Sequence, residues 1–167
     1  TLAKRYTNRR ELISCVNAYH GSSHGSLSVG GNEVFKRAYR PLLPGISHIQ
    51  FGAKPDLEKI TDQTAAVILE TVQGEAGIRI GDKEYFQALR KKCDETGALL
   101  ILDEIQAGFG RTGKFWAFEH YGIVPDILVC AKGMGGGMPI GAFIANKEVM
   151  GVFKNNPLLG HITTFGG

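Results

Sequence analysis

The chain has 167 residues, enough for one domain with a hydrophobic core, and 43% hydrophobic with 21% charged residues is an ordinary globular profile. Its net charge of +3 comes from scattered Lys and Arg residues, which favours solvated helix faces over a nucleic-acid surface. No apolar run reaches about 18 residues, so we expect no membrane-spanning helix. The three cysteines form no C-x-x-C pair, and buried, reduced thiols in a cytoplasmic protein are their simplest interpretation.

The first part of the chain is predicted to hold one strand and a polar loop. Residues 11–15 form a short apolar strand, whereas residues 19–31 are rich in Gly and Ser and are predicted to be a loop. A short helix with Asn32 as its N-cap follows, and Pro41 and Pro44 interrupt it. The stronger periodic signals lie further along the chain.

The middle of the chain alternates between strands and a helix. The continuous apolar run over 65–72 is typical of a strand buried on both faces, and residues 98–105 form a second such strand. Between them, residues 81–97 form an amphipathic helix, with Asp82 as its cap and Gly97 as its stop. The later predicted elements are strands over 126–132 and 141–146 and a short helix over 147–154. This order predicts an α/β domain with a mostly parallel sheet.

Polar side chains follow three of the predicted strands. In parallel α/β sheets, ligands bind beyond the carboxyl ends of the strands, so these groups are expected to converge on one rim. The first strand ends near Glu70, with Glu75 beyond it, the second delivers Asp103, Glu104 and Gln106, and the third ends on Lys132.

The segment from Gly108 to Lys114 spells G-x-x-x-x-G-K, the opening of a phosphate-binding P-loop. A P-loop requires Ser or Thr after the Lys to bind magnesium, but position 115 is Phe. It should also follow its own strand and open a helix, whereas this strand already ends in an Asp-Glu pair like that of a Walker B sequence. The segment is better interpreted as a loop that turns the chain, with an ATPase as the minor alternative.

Lys132 lies between an apolar strand and the Gly-rich turn GMGGGMPIG. One interpretation is an ordinary surface amine. The other is a partly buried amine that attacks an aldehyde, with glycines that let the backbone approach a flat ligand. Pyridoxal phosphate requires such a Lys together with a carboxylate on its pyridine nitrogen, and Asp103 fits the second requirement.

The stretch LLILDEIQAGFGRTGKFWAFEHYGIVPDILVCAKGMGGGMPIGA strongly resembles the class III aminotransferases of fold type I. The D-E-[IV]-Q and A-K-G-x-G-G-G-x-P-[IL]-G-A patterns match, as does the spacing from Asp103 to Lys132. The segments YHG and ILETVQGEAGI match in the right order, so the resemblance covers essentially the whole chain. Within the family, the chain looks closest to the acetylornithine and ornithine aminotransferases.

The resemblance implies a fold type I large domain that carries pyridoxal 5'-phosphate, and it assigns roles to residues around that cofactor. Lys132 would form the Schiff base and move a proton at the substrate carbon, and Asp103 would pair with the pyridinium nitrogen. Ile105 would pack on one face of the ring and Tyr19 would stack on the other. Gln106 would form a hydrogen bond with the phenolic oxygen.

Four further residues are implied to act near the cofactor or the substrate. Thr164 would bind the cofactor phosphate from the partner subunit, and Thr163 beside it would lie near the substrate. Glu75 would pair with a C-terminal Arg and gate the binding of a substrate carboxylate, and Glu70 would lie near the ring. The H-x-x-x-H pattern of the Gly/Ser loop lacks a third ligand, so no metal site is predicted.

The implied reaction moves an amino group to 2-oxoglutarate, from the terminal amine of an ornithine derivative such as N-acetylornithine. A homodimer would carry the active site at its interface, and no nucleic acid or membrane is implied as a partner. Another family activity stays open, namely a 4-aminobutyrate or diamine aminotransferase or an aminomutase, as does an inert fragment of the enzyme.

The chain departs from the family pattern in two respects. Several ornithine-type relatives carry an Arg directly after the F/Y-H-G motif, where it binds a substrate carboxylate, but this chain has Ser22 there, which leaves the amino donor open. The N-terminal phosphate loop and the C-terminal small domain are also missing. Residues 1–167 would therefore form the central part of the cofactor-binding large domain.

Overall fold

A six-stranded sheet organises residues 1–154, the part of the chain that the computed structural model describes. Neighbouring strands run parallel, except for the antiparallel pair at one edge formed by the last two strands along the chain. Numbered along the chain and listed in spatial order, the strands are β2 (Ile46–Ile49), β1 (Glu11–Cys15), β3 (Thr64–Glu70), β6 (Leu99–Asp103), β7 (Ile127–Cys130) and β8 (Ala142–Ala145). A separate antiparallel pair consists of β4 (Val72–Gln73) and β5 (Arg79–Ile80). The predicted α/β fold with a mostly parallel sheet is confirmed.

The helices lie on both faces of this sheet, and the sequence signals at their ends work as expected. In the longest of them, the Asp82 carboxylate accepts a hydrogen bond from the Tyr85 amide at 2.5 Å, and Gly97 ends the helix with a left-handed φ of 69°. The helices are α1 (Leu2–Thr7), α2 (His24–Val29), α3 (Glu33–Lys36), α4 (Lys83–Thr96) and α5 (Lys147–Gly151). Short 3₁₀ helices cover Arg37–Tyr39, Lys54–Lys59, Ala117–Tyr121, Lys132–Gly135 and Val152–Lys154. Within residues 1–154, none of the helices is long and apolar enough to cross a membrane.

Apolar side chains of the central strands point alternately to the two faces of the sheet and form separate clusters. On one face, Tyr85, Phe86, Leu89 and Cys93 of α4 are fully buried against alternate residues of β3 and β6. On the other face, α1 and α5 pack over Ala66 of β3 and Leu99 of β6. Burial on both faces explains why β3 and β6 are continuous apolar runs in the sequence.

The residues predicted as a loop over 19–31 contain the helix α2, so that prediction was wrong. Gly and Ser have poor helix propensity, and tertiary contacts stabilise this helix instead. Leu27 is buried, and the Lys36 ammonium donates hydrogen bonds to Ser28 O at 3.2 Å and Gly30 O at 2.8 Å, at the end of the helix. Residues distant in the sequence therefore decide this local structure.

Other differences concern strand ends and one missed strand. The strand β2 was not predicted, because it has four residues and forms its register only against β1. The run predicted over 65–72 breaks after Glu70, at the point where the chain leaves the sheet. Similarly, β7 ends at Cys130, so Lys132 begins a 3₁₀ turn instead of ending the strand.

Replacing Asp82 with Ala should lower the free energy of unfolding by about 1 kcal/mol, because the N-cap of α4 loses its side-chain acceptor. Urea denaturation would measure the change. Asp82→Asn is the matched control, since Asn caps helices about as well as Asp does. Equal losses in the two variants would show that the carboxylate acts through its charge and not as a cap.

Candidate active site

Two buried carboxylates lie side by side where β3 and β6 end. The parallel register of these strands places Glu70 opposite Asp103, and the two residues are 6% and 5% exposed. One oxygen of Asp103, Oδ1, accepts a hydrogen bond from the Ile105 amide at 3.1 Å. The expected convergence of these two strand ends is therefore present in the structure.

His20 binds the second oxygen of Asp103. Its Nδ1 lies 2.8 Å from Asp103 Oδ2, and its side chain is 2% exposed. Because a carboxylate only accepts hydrogen bonds, Nδ1 carries the proton in this contact. The other ring nitrogen, Nε2, is buried without a hydrogen-bond partner among the described residues. The Asp103 carboxylate is thus held through both of its oxygens.

Sequence reasoning missed this role of His20, because it considered the residue only as a metal ligand. Among the described residues, no group of three or more His, Cys, Asp or Glu is arranged to hold a metal ion. The available signal was the position of His20 directly after Tyr19, in a motif already placed beside the cofactor. The missing information was which of the strand-end carboxylates this loop reaches.

The surroundings of Glu70 favour its protonated form. Burial raises its pKa to about 7, the nearby charge of Asp103 adds to this, and His20 and a hydrogen bond from the Tyr19 amide act in the opposite direction. That amide lies 3.2 Å from Glu70 Oε2. Near neutral pH, Glu70 therefore exchanges a proton readily, beside a second carboxylate that is fixed by His20.

The Tyr19 side chain lies at the rim of the site and is 37% exposed. Its ring meets Phe35 edge-on, with ring centroids 5.9 Å apart. The backbone amide of Tyr19 is bound to Glu70, so the same loop connects this ring to the buried carboxylates. The stacking of Tyr19 on a cofactor ring stays a prediction.

A second side-chain contact joins Gln106 and Glu75. Gln106 Nε2 donates a hydrogen bond to Glu75 Oε1 at 3.1 Å. Glu75 follows β4 in the turn that leads to β5, whereas Gln106 follows β6. Two of the predicted site residues are therefore brought together by separate segments of the chain.

Lys132 lies at the same sheet edge, since Val129 of the preceding strand pairs with Asp103. Its φ of 44° is unusual for a residue with a side chain, and strained residues of this kind cluster at functional sites. Lys132 is exposed, so the partial burial expected for a reactive amine is absent from this structure. Its role as the attacking amine stays a prediction that rests on position.

Glu104 does not join the site. Its carboxylate is fully buried and accepts hydrogen bonds from the amides of Ala117 and Phe118, each at 2.7 Å. Burial raises the pKa of Glu104, and these two amides oppose that shift. Glu104 thus anchors the chain that returns from the Gly108–Lys114 segment, which forms turns as expected. The predicted Thr163 and Thr164 lie outside the described residues.

A cavity of about 880 Å³ opens in front of Asp103, His20 and Ile105. Its floor is the partly exposed sheet face that carries Ile101 and Val129. A fixed carboxylate beside a flat apolar floor suits a planar heteroaromatic ring with a protonated nitrogen. The described part of the chain therefore fits pyridoxal phosphate at its ring end.

The fold is that of transaminases of known structure. An ornithine aminotransferase from Toxoplasma gondii superposes with a TM-score of 0.90 at 30% identity, over 99% of this chain and 41% of its own. A transaminase from the marine bacterium Virgibacillus superposes with a TM-score of 0.90 at 30% identity, over 99% of this chain and 42% of that protein. An amine transaminase from an uncultivated Pseudomonas species, solved in a PLP-bound form, superposes with a TM-score of 0.88 at 30% identity. The match covers 99% of this chain and 45% of that protein. Fold and site thus place the chain in the class of pyridoxal-phosphate-dependent aminotransferase folds.

The profile of the class-III aminotransferase family matches residues 1–167, and the chain belongs to this family. A putrescine aminotransferase from Pectobacterium atrosepticum is 49% identical over 177 residues, which is 99% of this chain and 38% of that protein. The chain thus spans about two fifths of the length of these relatives. The predicted class and cofactor are confirmed, whereas the expected closeness to ornithine-type enzymes rests on structural neighbours alone.

The protonation of Glu70 should make stability depend on pH. Its folded pKa of about 7 exceeds the ordinary value of 4.5, so the folded state binds more protons and stability falls as pH rises through this window. Between pH 5 and 8 the loss should be about 2 kcal/mol, and Glu70→Gln should remove that component. Urea denaturation of the cofactor-free protein at both pH values measures it. The same pH difference in wild type and variant would exclude Glu70 as its source.

Proposed function

We propose that the full-length protein is an aminotransferase that uses pyridoxal phosphate to move an amino group from a small-molecule donor to a 2-oxo acid such as 2-oxoglutarate. The observation that carries this proposal is the Asp103 carboxylate, held through both oxygens at the carboxyl edge of a class-III aminotransferase sheet. Membership of the family supports the reaction type. The order of the strands supports the placement of Lys132 at the same edge.

Bound pyridoxal phosphate would supply the electron sink for the bond that breaks at the amine-bearing carbon. Asp103 would hold the proton on the ring nitrogen, and His20 would keep the carboxylate oriented toward it. Lys132 Nζ would hold the cofactor until the donor amine displaces it, and the amine so released would take and return the proton at the donor carbon. Ile105 would pack against the ring, and Gln106 would bind its phenolic oxygen.

The donor is proposed to be a terminal primary amine, with a diamine such as putrescine as the favoured class. The 49% identity to a putrescine aminotransferase supports a diamine. The exposed, uncharged Ser22 is consistent with it, because a diamine has no carboxylate to bind. An ornithine derivative such as N-acetylornithine is the second candidate, favoured by structural similarity to an ornithine aminotransferase.

We also infer a homodimer and a cytoplasmic location. Phe115, Met138 and Ile140 are 58%, 65% and 50% exposed, and they lie in the segments that follow β6 and β7. Large apolar side chains that are exposed in this way favour a protein contact. All three cysteines are buried and free, which is typical of reducing compartments.

Lys132→Ala should abolish covalent attachment of the cofactor in the full-length protein and reduce turnover by about a thousandfold or more. Borohydride treatment followed by mass spectrometry checks the attachment, and glutamate formation checks turnover. Lys114→Ala is the control, because this exposed residue belongs to the P-loop-like segment. If Lys114→Ala abolished a nucleotide-dependent activity while Lys132→Ala changed nothing, the ATPase alternative would replace the proposal.

The wild-type protein should form glutamate from 2-oxoglutarate faster with putrescine than with ornithine or N-acetylornithine. Ser22→Arg should raise the ratio of kcat/KM for ornithine to that for putrescine by about tenfold or more, because a charged hydrogen bond contributes about 1.5–3 kcal/mol. Ser22→Gln provides a long uncharged control. An equal effect of Gln and Arg would show that side-chain length, and not charge, decides the preference.

A further inference from the structure

Gly74 lies against the side chain of Gln106, in the turn that carries Glu75. A Cβ built on Gly74 would overlap Gln106 Oε1 and would lie 3.1 Å from Cδ and 3.5 Å from Nε2 of the same side chain. The Gln106 amide therefore occupies the space that any other residue at position 74 would fill. We propose that Gly74 is a positioning residue, which acts in the proposed transamination by leaving room for the Gln106 amide.

The backbone of Gly74 gives no other reason for a glycine. Its φ lies outside the left-handed range, unlike that of Gly77, whose φ is 93°. An alanine at position 74 could adopt the same backbone conformation without strain. The three nearest atoms that an added Cβ would meet all belong to the Gln106 side chain.

The position matters because Gly74 lies between two carboxylates of the site. Its backbone amide donates a hydrogen bond to Glu70, and the amide of Gln106 beside it donates one to Glu75 at 3.1 Å. Displacement of the Gln106 amide would break its bond to Glu75, while the backbone bond to Glu70 would remain. The expected damage is therefore local and falls on Gln106 and Glu75.

The displacement should cost little stability. The atoms that an added Cβ would meet are the far end of a flexible side chain, which can swing aside while the backbone stays in place. Gly74→Ala should therefore fold normally, with a Tm within about 2 °C of wild type. The variant should lose activity because its Gln106 amide is displaced, although the residue is still present.

The test is a double-mutant cycle in the full-length protein with Gly74→Ala, Gln106→Ala and the double variant. Each single substitution should lower kcat by about tenfold, and the double variant should match Gln106→Ala, because residues that act through one contact are not additive. The visible absorption band of the bound cofactor should shift equally in all three. Gly151→Ala is the control, since a Cβ there meets nothing within 4 Å in α5.

A crystal structure of cofactor-free Gly74→Ala provides a readout that does not depend on activity. We expect Gln106 Nε2 beyond hydrogen-bond distance from Glu75 Oε1. Gln106 found in its original place would overturn the proposal, and so would a double variant about a hundredfold slower than wild type. A wild-type protein without transaminase activity would instead refute the proposed function, and the crystallographic result would still test the contact.

Discussion

The parallel pairing of β3 with β6 is the constraint on which the site depends. Its register places Glu70 beside Asp103, both of them buried, and two neighbouring buried carboxylates cannot both be ionised at low cost. Asp103 forms hydrogen bonds with the His20 ring and the Ile105 amide, whereas burial raises the pKa of Glu70. The Asp103 carboxylate is thereby fixed in place, whereas Glu70 exchanges a proton near neutral pH.

The same strand end also separates the candidate active site from a contact that supports the fold. Successive side chains of β6 point to opposite faces of the sheet, so Asp103 faces the cavity and Glu104 faces away from it. Glu104 holds the start of the Ala117–Tyr121 turn through two amides. This anchors the chain that returns from the Gly108–Lys114 segment, and Gly133 after β7 lies against Phe109 of that segment.

The sequence predicted the elements whose signals are local. The helix α4 could be placed from Asp82, Gly97 and its apolar spacing, and β3 and β6 from their apolar runs, because burial on both faces leaves a direct trace in composition. The helix α2 could not be predicted, since the Lys36 ammonium that stabilises it comes from a separate segment.

The candidate site likewise combines residues that the sequence predicted with contacts that it did not predict. Asp103, Lys132 and Gln106 could be named from motif spacing, but the His20 contact and the fit of Gln106 against Gly74 depend on how separate loops meet in space. Lys132 is exposed among the described residues and begins a 3₁₀ turn, so its expected partial burial stays a prediction.

The alternation along β6 also limits how the length of this segment can vary. An insertion or deletion of a single residue between Leu99 and Asp103 would exchange the faces of the two acids. It would direct the longer side chain of Glu104 into the cavity and leave the amides of Ala117 and Phe118 without their acceptor. The exposed turns around Gly110 and Gly113 have no such constraint. Length variation among homologues should therefore be confined to these turns and be absent from the strand that precedes them.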